Sequence, residues 1–554
     1  MKQQQGFIEY IEQSIKDNWD LNALTDYNGA TLQYKDVARK IAKFHIVLES
    51  AGIQPGDKVA VCGRNSANWA VTFLGVVTYG AVIVPILHEF KADNIHHIVN
   101  HSEAKLLFVG DQVWENLNED AMPLLKGVGS INDFTILVSR CDKLTYATEH
   151  RNAIYGHLYP KNFRDEHVNY YKPEADDLVI INYTSGTTGY SKGVMLPCRS
   201  IWSNIEYCYE MRPLKAGDAV VSMLPLGHVF GMVYDLLYGF SAGAHLYFLT
   251  RMPSPKVIAQ SFAEIKPKLI SCVPLIVEKI IKKEVLPKVD NRIGKLLLRV
   301  PIINDKIKTS ARQAAMDIFG GNFEDIIIGG APFNAEIETF LKKINFPYNI
   351  VYGMTECGPV ICSSRWNNLK KGSCGKAASR MSVRIDSTDP ENEAGEIVCK
   401  GENMMLGYYK NEEATNQIID ADGWLHTGDM ATMDKDGFVT IRGRCKNLLL
   451  NSSGQNIYPE EIESRLNNMP FVAESLIVMQ NEKLVALIYP DFDEAFAMGL
   501  KQDDIVKQME TNRIELNQQL ESFSQVIKTK IHFEEFEKTA KKSIKRFMYQ
   551  DVKE

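Results

Sequence analysis

Residues 177–198 read DLVIINYTSGTTGYSKGVMLPC, from Asp177 to Cys198. The run opens on Leu178, Val179, Ile180 and Ile181, an apolar segment that predicts a buried strand. Tyr183 and Thr184 lead into Ser185, Gly186, Thr187, Thr188 and Gly189, and Lys192 and Gly193 follow shortly after. Gly186 and Gly189 allow positive φ and close backbone approach. Exposed N–H groups and Ser/Thr hydroxyls can donate to phosphate oxygens, and Lys192 adds a positive charge. The stretch is therefore read as a phosphate loop. It is not a Walker A loop, whose spacing does not fit. The plain alternative is a Thr/Ser/Gly-rich surface turn, but a strand running straight into the whole pattern sets it apart.

Outward from the loop, composition bounds the rest. A chain of 554 residues is too long for one ordinary core and predicts two or three domains. Hydrophobic residues make up 45% and charged residues 24%, the balance of a soluble globular protein. The net charge of −7 argues against a general nucleic-acid binder. The ten cysteines form no C-x-x-C pair and no metal-ligand spacing, so reduced thiols in a cytoplasmic protein are expected. The N-terminus has no apolar signal-peptide core. Ala70–Leu87 is uncharged over eighteen residues, but Gly75, Gly80 and Pro85 interrupt it. It reads as a buried helix to Tyr79, a turn at Gly80 and a short strand to Ile86, not a membrane span.

Upstream of the loop, helix and strand patterns alternate. Helices are expected at 36–51, 66–79 and 92–100, with strands at 58–62, 81–85 and 105–109. That alternation predicts a mostly parallel sheet covered by helices. Residues 110–175 have mixed charge and weak periodicity and read as surface excursions.

Downstream, four further stretches carry chemistry. Leu224–Met232, LPLGHVFGM, places His228 in an apolar loop, with Phe230, Met232, Tyr234, Leu236 and Leu237 on the segment that follows. Those residues read as core or as the lining of an apolar tunnel. Gly329, Gly330 and Ala331 end a strand where close backbone packing can form a flat slot for a purine. In Tyr352-Gly353-Met354-Thr355-Glu356, Tyr352 offers a ring to adenine and Thr355 a hydroxyl to a phosphate. Glu356 there offers a carboxylate to Mg²⁺, which prefers oxygen ligands shared with phosphates. In Gly423–Asp429, GWLHTGD, the carboxylate of Asp429 can accept both hydroxyls of a ribose, with Arg444 a second ribose candidate; the plain alternative is an Asx turn. Residues 276–315 read as basic amphipathic helices, with a solvated face or a peripheral membrane contact as their use.

Taken in order, TSGTTGxxKG, LPLGH, GGAP, YGMTE and GWLHTGD resemble the adenylate-forming (AMP-binding) superfamily, and within it bacterial long-chain fatty-acid–CoA ligases. The resemblance runs from about Leu32 to Tyr549. It implies an α/β fold: a large N-terminal domain over 1–443, a hinge at 444–447 and a small mobile α+β C-terminal domain over 448–554. The large domain would hold layered, mostly parallel sheets with helices and a small β-barrel-like subdomain. It implies ATP, Mg²⁺ and CoA as the small molecules used and a medium- to long-chain fatty acid as substrate. The acid would attack the α-phosphate to give acyl-AMP and pyrophosphate, and the thiol would then take the acyl group. Lys192 would neutralise the departing phosphates, His228 would gate the acyl site, and Lys446 would be the pivot. Ser453 and Gly454 lie in a loop that resembles the one turned toward the thiol acceptor.

Two positions depart from the family pattern. Ser191 stands where proline is usual. The family's C-terminal P-K-T-x-x-G-K-I is met by Glu537–Ile544, EKTAKKSI, so the catalytic lysine falls on Ser543. A serine supplies no positive charge at the α-phosphate, and Lys542 or Lys541 is the neighbouring substitute. Three readings stay open: a fatty-acid–CoA ligase, an acyl-adenylate ligase that loads a carrier protein, and an acyl- or nucleotide-binding protein with impaired adenylation.

Overall fold

The computed structural model describes residues 6–184, 191–250, 255–286, 305–450, 456–481, 483–539 and 544–549. Its largest sheet has eight strands, in the order 407–408, 192–197, 178–184, 82–86, 58–62, 106–109, 127–130 and 136–139. Gly127–Ser130 pairs parallel with Leu106–Val109 and antiparallel with Ile136–Ser139, whereas Lys58–Cys62, Val82–Ile86 and Leu106–Val109 run parallel to both neighbours, with Leu178–Thr184 joining parallel to Val82–Ile86. Such strands are covered on both faces, which is why they read as unbroken apolar runs. All five residues of Val82–Ile86 are buried.

The uncharged stretch from Ala70 divides as its glycine requires. The helix Ala67–Tyr79 is N-capped by Ser66 and ends at Gly80 in the left-handed conformation, φ 90°. A Cβ there would also lie 2.6 Å from the Tyr171 ring. Among the described residues no helix is long and apolar enough to cross a membrane.

Residues 110–175 are more ordered than their sequence suggests. Gly127–Ser130 and Ile136–Ser139 complete the edge of the large sheet, and Asp142–Leu158 is a helix. The strand carries glycines because neighbours fill the space of their side chains. A Cβ at Gly129 would lie 2.6 Å from the Phe108 ring, and one at Gly127 2.5 Å from Leu144. Glycine lowers the strand signal at the positions where packing demands it.

A second sheet has the order 270–272, 326–329, 348–353, 360–363 and 376–377, with the first three strands parallel. A third joins 219–222, 245–248, 22–26 and 31–33. The expected barrel-like part is an antiparallel sheet of 381–386, 395–401, 425–433 and 439–444, with its first and last strands at the edges. Among the described residues it does not close into a barrel. The basic stretch forms Pro274–Ile280, continuing to Val285, and Asp305–Ile318; 287–304 lie outside the described residues.

The last hundred residues form a separate packing unit. A hairpin of Val472–Gln480 and Lys483–Pro490 pairs with Val526–Ile531, backed by the helices Pro459–Leu466 and Gln502–Asn517. Ile462, Leu466, Ile488, Met509 and Val526 make its own core.

Candidate functional site

The strand Leu178–Thr184 turns through the phosphate stretch and returns as Lys192–Pro197, with Thr184 opposite Lys192. Ser185–Gly189 lie outside the described residues. On the other side of Lys192–Pro197 runs Gly407-Tyr408, with Tyr408 opposite Val194. Residues two apart on a strand share a face, so Lys192 and Tyr408 become diagonal neighbours. The Lys192 ammonium lies 4.6 Å from the centre of the Tyr408 ring. The Tyr408 hydroxyl donates to Glu356 Oε1 at 2.7 Å, and the Met405 N–H donates to the Glu356 carbonyl at 2.8 Å. Glu356 and Thr355 are buried in a short turn after the strand Tyr348–Gly353. Gly353 is obligatory there, since a Cβ would lie 2.0 Å from the Pro359 carbonyl oxygen. Met354 follows as the N-cap of that turn.

Sequence reasoning gives Tyr408 no role. Its signal is the register of two segments two hundred residues apart, which no local pattern carries. A lone buried carboxylate such as Glu356 suits an Mg²⁺ ion that takes its other ligands from phosphates and water. Among the described residues no group of three or more His, Cys, Asp or Glu is placed to hold a metal ion unaided.

Across the same strand end sits a second carboxylate. The Tyr352 hydroxyl donates to Asp429 Oδ2 at 2.7 Å, and Arg444 Nε lies 2.7 Å from Asp429 Oδ1. The two candidate ribose residues and the candidate adenine residue thus form one cluster. Burial raises the Asp429 carboxyl above its ordinary range, and the Arg444 charge opposes that rise. The turn before Asp429 is set by Glu396. Its Oε1 accepts from the Gly428 N–H at 2.8 Å, and its Oε2 lies 2.8 Å from His426 Nδ1. Gly428 takes φ 72°, which favours glycine. Glu396 was not anticipated; a carboxylate on a neighbouring strand gives no local cue.

Gly329 ends the strand Ile326–Gly329, opposite Val351. A Cβ there would lie 3.0 Å from the Val351 carbonyl and 3.3 Å from the Phe230 ring. Gly330, at φ 89°, and Ala331 are exposed at the strand's end. The close packing expected of this stretch is present, and it meets the histidine segment through Phe230.

The loop carrying His228 is clamped from two other segments. Asn65 donates to the Leu224 carbonyl at 2.7 Å and accepts from the Leu226 N–H at 2.9 Å. Asn182, in the strand that enters the phosphate stretch, donates to the Gly227 carbonyl at 2.9 Å. His228 Nδ1 accepts from the Phe230 N–H at 3.2 Å, capping the helix that follows. Phe230, Met232, Tyr234, Leu236 and Leu237 are all part of the main core. Below them Asp235 is fully buried, accepts from the Ser271 hydroxyl, and is pushed up to about 8 by burial.

Arg444, Lys446 and Asn447 lie in the segment that joins the last strand of the large sheet system to the C-terminal unit. Lys446 is exposed on a short turn. Asn447 donates to Glu460 Oε1 at 2.5 Å. The residues flanking the lysine segment meet: Lys538 bridges antiparallel to Ile544, and the Lys545 N–H donates to the Glu537 carbonyl at 2.8 Å. Arg546 then pairs with the buried Glu463. Lys541, Lys542 and Ser543, with Ser453 and Gly454, lie outside the described residues.

All ten cysteines are unbridged, Cys357 and Cys399 included, whose sulfurs lie 3.7 Å apart.

Residues 11–409 match the AMP-binding enzyme family, and residues 446–551 match the AMP-binding enzyme C-terminal domain. A long-chain-fatty-acid–CoA ligase of Rattus norvegicus is 27% identical over 87% of this chain and 76% of its own length. A long chain acyl-CoA synthetase of Arabidopsis thaliana is 28% identical over 82% of this chain and 73% of its own length. The crystal structure of an anthranilate CoA ligase in complex with anthranoyl-AMP superposes with a TM-score of 0.78 at 18% identity, covering 99% of this chain and 97% of that one. Since the family match spans the phosphate stretch, the YGMTE turn and most of the chain, this protein belongs to the AMP-binding enzyme family.

Proposed function

We propose that this protein is a fatty-acid–CoA ligase. It activates a medium- to long-chain acid with ATP to acyl-AMP and pyrophosphate, then passes the acyl group to CoA. The observation that carries the reading is the pairing of two clusters at adjoining strand ends. Lys192, Tyr408 and Glu356 form a charged face suited to phosphates and Mg²⁺. Tyr352, Asp429 and Arg444 form a face suited to a nucleoside. The relatives named long-chain acyl-CoA ligases support the acyl class.

In this reading Thr355 and the Thr184–Gly189 loop hold the α- and β-phosphates, Gly329–Ala331 and Tyr352–Met354 frame the base, and His228 gates the acyl site. Residues 1–443 and 448–554 act as two domains hinged at 444–447, with Lys446 at the pivot. Rotation presents first the lysine segment, with Lys542 beside Ser543, and then the loop of Ser453 and Gly454 for the thiol. Such a rotation lets one site run two half-reactions. Catalysis is mainly positioning and charge stabilisation.

The test is acid-dependent ATP–pyrophosphate exchange without CoA, from octanoate to oleate. Exchange that rises with one chain length, followed by acyl-CoA formation on adding CoA, is expected. ATP binding without exchange for any acid overturns the adenylation reading. Exchange followed by transfer only to a carrier protein overturns the CoA step.

A further inference from the structure

We propose that Tyr408 is a positioning residue that keeps Lys192 and Glu356 apart, so that both charges remain available to a metal-bound triphosphate. The inference rests on the adenylation reading and deepens it.

The geometry is specific. Two opposite charges stand on different parts of one phenol: the ammonium over the ring, the carboxylate at the hydroxyl. Among the described residues neither Lys192 nor Glu356 has an oppositely charged side chain within ion-pairing distance; each instead contacts Tyr408. A buried carboxylate and an ammonium that could reach each other would pair and neutralise the site before a nucleotide arrived. The phenol prevents this without leaving either charge unsatisfied. Its O–H satisfies the carboxylate, which is costly to bury alone. Its ring face attracts the cation. The two contacts reinforce one another, since donating toward an anion raises electron density in the ring.

Tyr408 is itself immobile. It is 5% exposed, its backbone pairs with Val194, and its N–H donates to Thr415 Oγ1 at 2.9 Å. Gly407, at φ 143°, lets the strand press against Thr415, where a Cβ would lie 2.9 Å from its methyl carbon. The strand, the following helix and the Met405 contact to the Glu356 backbone therefore place the hydroxyl, and the hydroxyl places the carboxylate.

Equilibrium binding of ATP is measured with and without Mg²⁺, for the wild type, Tyr408→Phe, Glu356→Gln and the double variant. In the wild type Mg²⁺ strengthens ATP binding. Tyr408→Phe keeps the ring and loses the O–H, so the Mg²⁺-dependent gain falls about 10-fold, the scale of one hydrogen bond to a charged group, and falls further than Mg²⁺-free binding does. In the Glu356→Gln background, Tyr408→Phe changes nothing further.

If the wild type shows no Mg²⁺ effect, the adenylation reading is at fault. If it does and Tyr408→Phe matches it, or if the loss persists in Glu356→Gln, the positioning role is overturned. A Tyr408→Phe protein whose melting temperature collapses overturns it too, since the hydroxyl would then be holding the fold and not the carboxylate.

Discussion

In the proposed function the site has a phosphate side and a ribose side, each built from a tyrosine, a carboxylate and a cation in different connectivity. On both, a tyrosine hydroxyl donates to a buried carboxylate at 2.7 Å. On the ribose side the cation pairs directly with that carboxylate, Arg444 to Asp429 at 2.7 Å. On the phosphate side the cation is diverted to the ring, and Lys192 and Glu356 are held in separate contacts. The difference follows the chemistry each must meet. Ribose hydroxyls are neutral, so a carboxylate tamed by an arginine can still accept from them. A triphosphate and its cation are charged, and a site already neutralised would offer them little.

The comparison can be broken at its strongest point by Lys192→Met. Removing the phosphate-side cation lowers the acid-dependent ATP–pyrophosphate exchange rate by roughly 100- to 1000-fold, the scale of one lost charge-stabilising donor. An equal loss of AMP affinity would show that Lys192 serves the nucleoside instead.

On the ribose side Asp429→Asn keeps the shape and removes the charge. It weakens binding of AMP, which lacks the β- and γ-phosphates, by roughly 10- to 100-fold in calorimetry, since hydrogen bonds to a charged group are worth about 1.5–3 kcal/mol. Pyrophosphate inhibition should stay unchanged.

Arg444→Ala sharpens the contrast through pH. Arg444 holds the Asp429 carboxyl down against the upward push of burial. Without it the carboxyl takes up a proton at higher pH, so AMP affinity in the variant declines on mild acidification sooner than in the wild type. Identical pH profiles would mean the ion pair does not govern Asp429.

Asp235 supplies the case of a buried carboxyl with no cation within ion-pairing distance among the described residues. Burial pushes it up to about 8, against an ordinary value near 3.8. The folded protein therefore holds a proton that the unfolded chain releases between about pH 4 and 8. Stability from this group is full below that window and is lost as pH rises through it, by up to about 1.4 kcal/mol per pH unit. Asp235→Asn cannot titrate, so its denaturation midpoint falls less over the same range. Parallel curves for the two proteins would show that Asp235 does not carry the proton.

The stretches YGMTE and GWLHTGD, whose residues the structure brings together, were legible because each is contiguous and bundles its polar groups within a few residues; TSGTTG lies mostly outside the described residues. The alternating helices and strands from 34 to 109 were legible for the same reason, being built on local periodicity. What escaped was set by register between distant segments. Tyr408 meets Glu356 and Lys192 only because Gly407-Tyr408 joins the edge of the large sheet. Glu396 meets His426 and Gly428 only across neighbouring strands. The strand Gly127–Ser130 hid behind glycines that exist to admit Phe108 and Leu144. Asn65 and Asn182 looked like ordinary polar residues until they were found holding the carbonyls of the histidine loop.

The two-residue strand Gly407-Tyr408 also has a consequence in time. A ribosome adds about 5–20 residues per second, so some tens of seconds separate the emergence of Lys192 from that of Tyr408. Until then the phosphate stretch exists on a sheet that lacks its edge strand, and Glu356 lacks its phenol. A nascent chain cut short before residue 407 can fold much of its parallel sheet and still lack the means to keep its charges apart. In the proposed function, competence to use ATP therefore cannot arise before nearly three quarters of the polypeptide has been made.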